Sequence, residues 1–186
     1  MAAPRHGGER VFLRVGLARP MSDFIHQRHK PPTELSSPRE LVLVCSPLRT
    51  NVNFSRIVRA AGCSGVRRII GCGHARIDPE IARINDQQIE VEVHRSLPPV
   101  LHKLKAQGYT LVGLEQTTNS VSLFEFAFPR RTALVVGNER HGLTEDVLAL
   151  VEHVVEIPVY GLPFAHNVAT ATAIAMYEYC RQFPQG

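Results

Sequence analysis

The stretch IPVYGLPFAHNVATATAIAM, residues 157–176, decides how the rest of the chain is interpreted. It begins as the end of a strand, continues as a loop built on Pro158, Gly161 and Pro163, and becomes a long helix rich in small residues. Asn167 is a suitable N-cap for that helix. The many alanines and threonines indicate that another backbone approaches closely, either a neighbouring segment of this chain or a dimer partner.

Strand-like and helix-like segments alternate on the N-terminal side of this stretch. The predicted strands are 41–47, 66–72, 90–93, 109–115, 132–137 and 153–158, and the predicted helices are 53–61, 78–85, 98–107, 144–151 and 167–182. Asn51 or Asn53 is expected to cap the first helix, and residues 117–128 are expected to be mainly loop. This alternation predicts an α/β fold with a mostly parallel sheet and helices on both faces.

The first 40 residues differ from the rest of the chain. They contain five prolines and several basic residues, without sustained periodicity. We therefore divide the chain into a flexible basic arm, residues 1–40, and a folded domain, residues 41–186. The arm either grips an anionic partner or is a solvated tail.

Composition excludes several classes of protein. No apolar run reaches the roughly 18 to 20 residues that cross a bilayer as a helix, and the N-terminus lacks the apolar segment of a secretory signal, so we expect a cytoplasmic protein with no membrane partner. The four cysteines lack the close spacing of a zinc or redox motif, so no metal is expected. No dinucleotide-binding GxGxxG follows the first strand, and no phosphate loop exists. The net charge of +4 weakly favours an anionic partner.

Two upstream segments are expected to meet the opening stretch: NFSRIVRAAGCSG, residues 53–65, and LVVGNERHGL, residues 134–143. In open parallel sheets, ligands bind at the C-terminal ends of strands, where Leu114, Gly137 and Ile157 lie. A glycine at a strand end allows close approach of a flat ligand, although a tight turn would explain Gly137 equally well. Arg59 is either a functional residue or an ordinary surface arginine.

These three motifs, in this order, resemble those of the SpoU/TrmH family of RNA 2′-O-ribose methyltransferases, and GLEQT, residues 113–117, is similar to the segment that precedes the second motif. The resemblance covers about residues 41 to 183. It implies a SPOUT fold whose C-terminal part forms a deep trefoil knot. It also implies S-adenosylmethionine as cofactor and a homodimer in which each site is completed across the interface.

The resemblance also implies roles for individual residues. The matching catalytic positions are Arg59, Asn53, Glu139 and Asn167, and the matching cofactor-binding positions are Leu114, Gly137, Asn138, Ile157, Leu162 and His166. Methyl transfer from a sulfonium needs no metal. Transfer RNA is preferred over ribosomal RNA as substrate, because no folded RNA-binding domain is predicted before the core.

One departure leaves a second function open. The family's usual Ser-Leu-Asn reads Ala165-His166-Asn167 here, so the serine hydroxyl is missing. The alternative is a non-enzymatic RNA-binding module that keeps the knotted fold, with or without cofactor binding.

Overall fold

A computed structural model describes residues 26–28, 30–84 and 89–186 of the chain. Within these ranges, seven strands form one sheet, and every strand pairing is parallel. The strands are β1 Leu41–Cys45, β2 Arg68–Cys72, β3 Glu90–His94, β4 Thr110–Leu114, β5 Val121–Ser122, β6 Thr132–Val136 and β7 His153–Glu156. Their order across the sheet is β3-β2-β1-β6-β4-β7-β5. The predicted parallel sheet is confirmed.

Five helices cover the two faces of this sheet in the described ranges. They are α1 Asn51–Ser64, α2 Pro79–Ala82, α3 Leu97–Ala106, α4 Glu145–Leu148 and α5 Val168–Gln182. Buried side chains of α1, α2 and α5 pack in one apolar cluster, and those of α3 and α4 pack in a second cluster with the alternate residues of β1 and β6. The predicted helices on both faces are therefore confirmed. None of the described helices is both long and apolar enough to cross a membrane.

The central strands are short apolar runs with no exposed face. All five residues of β1 and all five of β6 are buried, and Leu41 pairs in register with Thr132. Strands buried on both faces read as continuous apolar segments, because neither face meets water. This pair therefore forms the centre of the core and places the loops after β1 and β6 side by side.

The N-cap of helix α1 lies one residue before the first of the two predicted caps. Thr50 is the N-cap, and its hydroxyl accepts a hydrogen bond from the Asn53 backbone N–H at 3.3 Å. The prediction that Asn51 or Asn53 caps the helix is wrong, because both residues lie inside it. Their side chains are thereby available for contacts with other segments.

Helix α5 packs along α1, so a neighbouring segment accounts for part of its small-residue content. Asn167 is its N-cap, as predicted, and accepts a hydrogen bond from the Ala169 N–H at 2.9 Å. Near the other end, buried Tyr179 donates a hydrogen bond to the Arg130 carbonyl at 2.6 Å. These contacts position both ends of α5.

Two further segments refine the sequence-based prediction. The strand β5 lies in the segment predicted as loop and pairs with β7 over two residues. A strand of two residues is too short to show an alternating pattern in the sequence. Helix α2 ends at Ala82, and the last predicted residue of that helix, Asn85, lies outside the described residues. Most of the predicted arm also lies outside them. Residues 34–186 form one compact unit, in which Arg39 donates hydrogen bonds to the Ser64 and Phe183 carbonyls.

Candidate active site

A cavity of about 360 Å³ lies at the C-terminal ends of β4, β6 and β7. This volume is within the range of small-molecule sites. Five of the six predicted cofactor-binding residues line it, together with two of the four predicted catalytic residues: Leu114, Gly137, Asn138, Ile157, His166, Glu139 and Asn167. The three sequence motifs therefore meet where the topology of a parallel sheet places a ligand.

The turn after β6 forms one wall of the cavity. Asn138 and Gly142 exchange backbone hydrogen bonds of 3.0 and 2.9 Å, which folds the chain back onto Gly137. A Cβ on Gly137 would lie 2.5 Å from the Gly142 carbonyl carbon. Of the two explanations open for Gly137, the tight turn is thus present, and it borders the cavity as well.

A carboxylate that the sequence did not single out supports the same turn. Glu115 accepts hydrogen bonds from the Leu143 N–H at 2.9 Å and from the Gln116 N–H at 3.0 Å. Gly142 has a φ of 63°, and its α-carbon faces the Glu115 carboxylate so closely that no Cβ would fit between them. Glu115 belongs to the GLEQT segment, so the signal was present, but it was assigned only to the neighbouring Leu114.

A chain of side-chain hydrogen bonds connects the three motifs. The Asn53 amide donates to Glu139 Oε1 at 2.8 Å, and the Asn167 amide donates to Asn53 Oδ1 at 3.3 Å. The second Glu139 oxygen, Oε2, accepts from the Arg49 backbone N–H at 2.8 Å. Asn53 is buried in α1, although it does not line the cavity, so it acts as the link between its two neighbours.

The Glu139 carboxylate is held in its charged form. Partial burial acts to raise its pKa, but the hydrogen bonds from Arg49 and Asn53 outweigh burial and lower the pKa below the ordinary value. A carboxylate with both oxygens engaged and a lowered pKa is a weak base. Glu139 is therefore suited to fixing Asn53 and the turn, rather than to removing a proton.

The loop between β7 and α5 presents apolar side chains to solvent. Tyr160 is 92% exposed, and Leu162 and Phe164 are each 78% exposed. Leu162 does not line the main cavity; it lines an adjoining groove that shares Ile157 with it. The predicted cofactor contact at Leu162 thus lies at the margin of the site.

Arg59 stands apart from the other predicted catalytic residues. It is exposed on α1 and is not among the described residues that line the cavity. Six residues separate it from Asn53, which corresponds to about 9 Å along the helix axis and to a different helix face. Within one chain, the structure brings Asn53, Glu139 and Asn167 together and leaves Arg59 outside.

The charge of the cavity wall suits a cationic ligand. Among the described residues that line it, three are glutamates, Glu115, Glu139 and Glu156, and one is an arginine, Arg140. S-adenosylmethionine carries a sulfonium and an ammonium group against a single carboxylate, so the volume and the wall charge both fit it. In the described part of the chain, no cluster of three or more His, Cys, Asp or Glu side chains could hold a metal ion.

Two curated relatives of this chain are both named tRNA (guanosine(18)-2′-O)-methyltransferases. The tRNA (guanosine(18)-2′-O)-methyltransferase TARBP1 of Mus musculus is 40% identical over 93 residues, which are 50% of this chain and 6% of that protein. The tRNA (guanosine(18)-2′-O)-methyltransferase of Escherichia coli K12 is 29% identical over 133 residues, 70% of this chain and 58% of that protein. This chain therefore spans less than two thirds of the length of either relative.

Solved structures show the same fold. The crystal structure of the Aquifex aeolicus TrmH/SpoU tRNA modifying enzyme matches with a TM-score of 0.75 and 26% identity, over 81% of this chain and 79% of that one. The SpoU methyltransferase AviRb from Streptomyces viridochromogenes, in complex with the cofactor AdoMet, matches with a TM-score of 0.68 and 25% identity, over 82% and 64% of the two chains. The profile of the SpoU rRNA Methylase family matches residues 40–177, about three quarters of the sequence, and this chain belongs to that family.

Proposed function

We propose that this protein is an S-adenosylmethionine-dependent methyltransferase that acts on a ribose 2′-hydroxyl of RNA, with transfer RNA as the preferred substrate. The observation that carries the proposal is the hydrogen-bonded chain from Glu139 through Asn53 to Asn167 beside a ligand-sized cavity. This chain of hydrogen bonds joins one residue from each of the three motifs. If each motif had only a local structural role, no such connection between them would be needed. The names of the relatives support transfer RNA as the substrate.

The cofactor would be held by the loops at the strand ends. Leu114, Gly137 and Ile157 offer backbone groups there, and the carboxylates of the wall favour a positive ligand. When bound, S-adenosylmethionine supplies a methyl group on a sulfonium, which is already activated toward an oxygen nucleophile. The protein therefore has to hold the two reactants in line and stabilise the oxygen that loses its proton.

Arg59 is suited to the substrate side of the reaction. A guanidinium keeps its proton at any physiological pH, so it is a poor base, but it binds phosphate and stabilises a developing alkoxide well. The 2′-oxygen would take the methyl group as the carbon–sulfur bond of the cofactor breaks, and the hydroxyl proton would pass to solvent. Asn167 lines the cavity and orients the ribose from the other side.

We also propose that the chain forms the family's C-terminal trefoil knot and acts as a homodimer. The turn after β6 and the loop before α5 border one cavity, as they would in a knotted cofactor site. Exposed Tyr160, Leu162 and Phe164 support a partner subunit, since a monomer rarely exposes so much apolar surface in one loop. The position of Arg59 outside the cavity supports a site completed by the second chain.

Two measurements test the proposed activity. Calorimetry on the purified protein should detect S-adenosylmethionine binding, and transfer of a labelled methyl group to RNA should be lost in Arg59→Ala while cofactor binding stays near wild type. Arg67→Ala, at an exposed arginine before β2, is the matched control. Undetectable cofactor binding would overturn the assignment. Cofactor binding without transfer to any RNA by the wild-type protein would favour the non-enzymatic RNA-binding module, in line with Ala165 at the cavity wall.

A further inference from the structure

The loop after β2, residues 73–78, is fixed against the first turns of α1. The Arg76 backbone N–H donates to Asn51 Oδ1 at 3.1 Å, and the Asp78 N–H donates to Ser55 Oγ at 2.8 Å. Ser55 in turn donates to the Asn51 carbonyl at 2.6 Å. Asn51 and Ser55 are one helical turn apart, so the loop runs along their side of α1.

Three exposed arginines lie along this part of the molecule, and we name them the arginine strip: Arg56, Arg59 and Arg76. Arg56 follows Ser55 in α1, and Arg59 is three residues further, so the two share the exposed face of the helix. Among the described residues 73–80, two are acidic, and Glu80 is the exposed one. Asp78 is partly buried and caps α2, where its Oδ1 accepts a hydrogen bond from the Glu80 N–H at 3.0 Å.

The arginine strip and the candidate active site lie on different sides of the first turns of α1. From the same two turns of α1, Asn53 extends in a different direction and donates to Glu139 at the cavity. The first turns of α1 therefore separate the cavity from the loop that carries Arg76. A chain of nucleotides whose target ribose lies at Arg59 would pass over the exposed face of α1 toward that loop, whichever subunit supplies the cavity.

We propose that Arg76, together with Arg56, binds RNA phosphates that flank the target ribose, a step that rests on the proposed methylation of RNA. Guanidinium groups match phosphate oxygens with two parallel hydrogen bonds, and a fixed backbone reduces the freedom lost on binding. The N-terminal end of α1 adds a partial positive charge on the same side. Contacts of this kind position the RNA and are independent of its base sequence.

The test compares Arg76→Ala and the double variant Arg56→Ala/Arg76→Ala with Arg67→Ala. Arg67 precedes β2 and Arg76 follows it, so the control removes an exposed arginine at the opposite end of that strand. Bulk transfer RNA is the probe, titrated at several salt concentrations. Arg76→Ala should raise Kd roughly threefold to tenfold. It should also reduce the magnitude of the negative slope of log association constant against log salt by about one, and the double variant should reduce that magnitude by about two.

Further variants and a second ligand separate this role from a structural one. Arg76→Lys keeps the positive charge, so its salt slope should equal that of the wild type and its Kd should lie between those of the wild type and Arg76→Ala. Affinity for S-adenosylmethionine should be unchanged in all four variants. Wild-type RNA affinity and salt slope in the double variant, or an equal loss in Arg67→Ala, would overturn the proposal. A wild-type protein that fails to bind the cofactor would instead overturn the proposed function and leave this RNA-binding comparison standing.

Discussion

At the scale of single residues, Glu139 shows how the site is preorganised. Both of its oxygens accept hydrogen bonds from segments that are 86 and 90 positions away in sequence. Asn53 uses its amide for Glu139 and its carbonyl oxygen for Asn167, so neither group is free to rotate. Positioning of this kind is what an in-line transfer reaction needs most.

Replacing Glu139 by glutamine should lower the free energy of unfolding by about 1 kcal/mol at pH 7, because both donors lose a charged acceptor and one of them faces an amide NH2, which cannot accept. The folded-state pKa of Glu139 is lowered, so its contribution is present above the unfolded-state pKa and is lost as pH falls through the folded value. Urea unfolding at several pH values should show the difference shrinking below about pH 4. Glu125→Gln, at an exposed carboxylate, is the control. A difference that does not change with pH would mean that the charge of Glu139 is not what stabilises the site.

Ala165 stands where the family motif has its serine, and it lines the cavity. Ala165→Ser would place a hydroxyl there, and one additional hydrogen bond to the substrate in the transition state is worth about 0.5 to 1.5 kcal/mol. We expect a rise of roughly two- to thirteenfold in kcat/KM with cofactor affinity unchanged. Ala165→Gly should give no rise. Equal rates for the serine and alanine proteins would show that this side chain does not reach the substrate.

At the scale of elements, the turn after β6 is determined by two close contacts, one with backbone and one with a side chain. Gly137 lies against the backbone of Gly142, and Gly142 lies against Glu115. The backbone atoms against Gly137 cannot move aside as a flexible side chain can, and the φ of 63° at Gly142 favours glycine there. The turn and the cavity wall therefore have one shape.

Gly137→Ala tests this directly. We expect it to destabilise the protein by about 1 to 3 kcal/mol and to weaken cofactor binding strongly, since the added Cβ forces the turn away from β6. Gly161→Ala is the matched control, because a Cβ at Gly161 meets no atom within 4 Å. Thermal unfolding and calorimetry measure both effects. Normal cofactor affinity in Gly137→Ala would mean that the turn does not form the binding surface.

The elements themselves could largely be predicted from the sequence, because apolar runs such as Leu41–Cys45 and the small-residue helix α5 have distinct patterns. The Thr50 cap was missed because asparagine is the better N-cap by residue type and two asparagines, Asn51 and Asn53, follow within three positions. The role of Glu115 was missed because it depends on the approach of Leu143, 28 positions away. Contacts between distant segments have no local signature, and this limited the prediction of the site more than that of the fold.

At the scale of the whole molecule, one chain assembles only part of the predicted machinery. Asn53, Glu139 and Asn167 meet at the cavity, whereas Arg59 is exposed on another face of α1. The exposed loop with Tyr160, Leu162 and Phe164 lies beside the same cavity. A second copy that covers this loop could bring its own Arg59 to the site.

Subunit complementation decides whether the site is shared. Arg59→Ala and Asn167→Ala proteins should each be inactive alone. If each site takes Arg59 from one chain and Asn167 from the other, co-expression of the two variants produces mixed dimers in which one of the two sites is intact. With random pairing, half of the dimers are mixed, so methyl transfer should recover to about a quarter of the wild-type rate. Light scattering should show a dimer in each preparation. If Arg59 and Asn167 act within one chain, each mixed dimer has one site that lacks Arg59 and one that lacks Asn167, so no activity is recovered. In mixed dimers of wild type with the double variant Arg59→Ala/Asn167→Ala, a site remains intact only when both residues act within one chain. Recovery in the first experiment and loss of activity from mixed dimers in the second would establish the shared site, and the reverse pattern would place Arg59 and Asn167 in the same subunit's site.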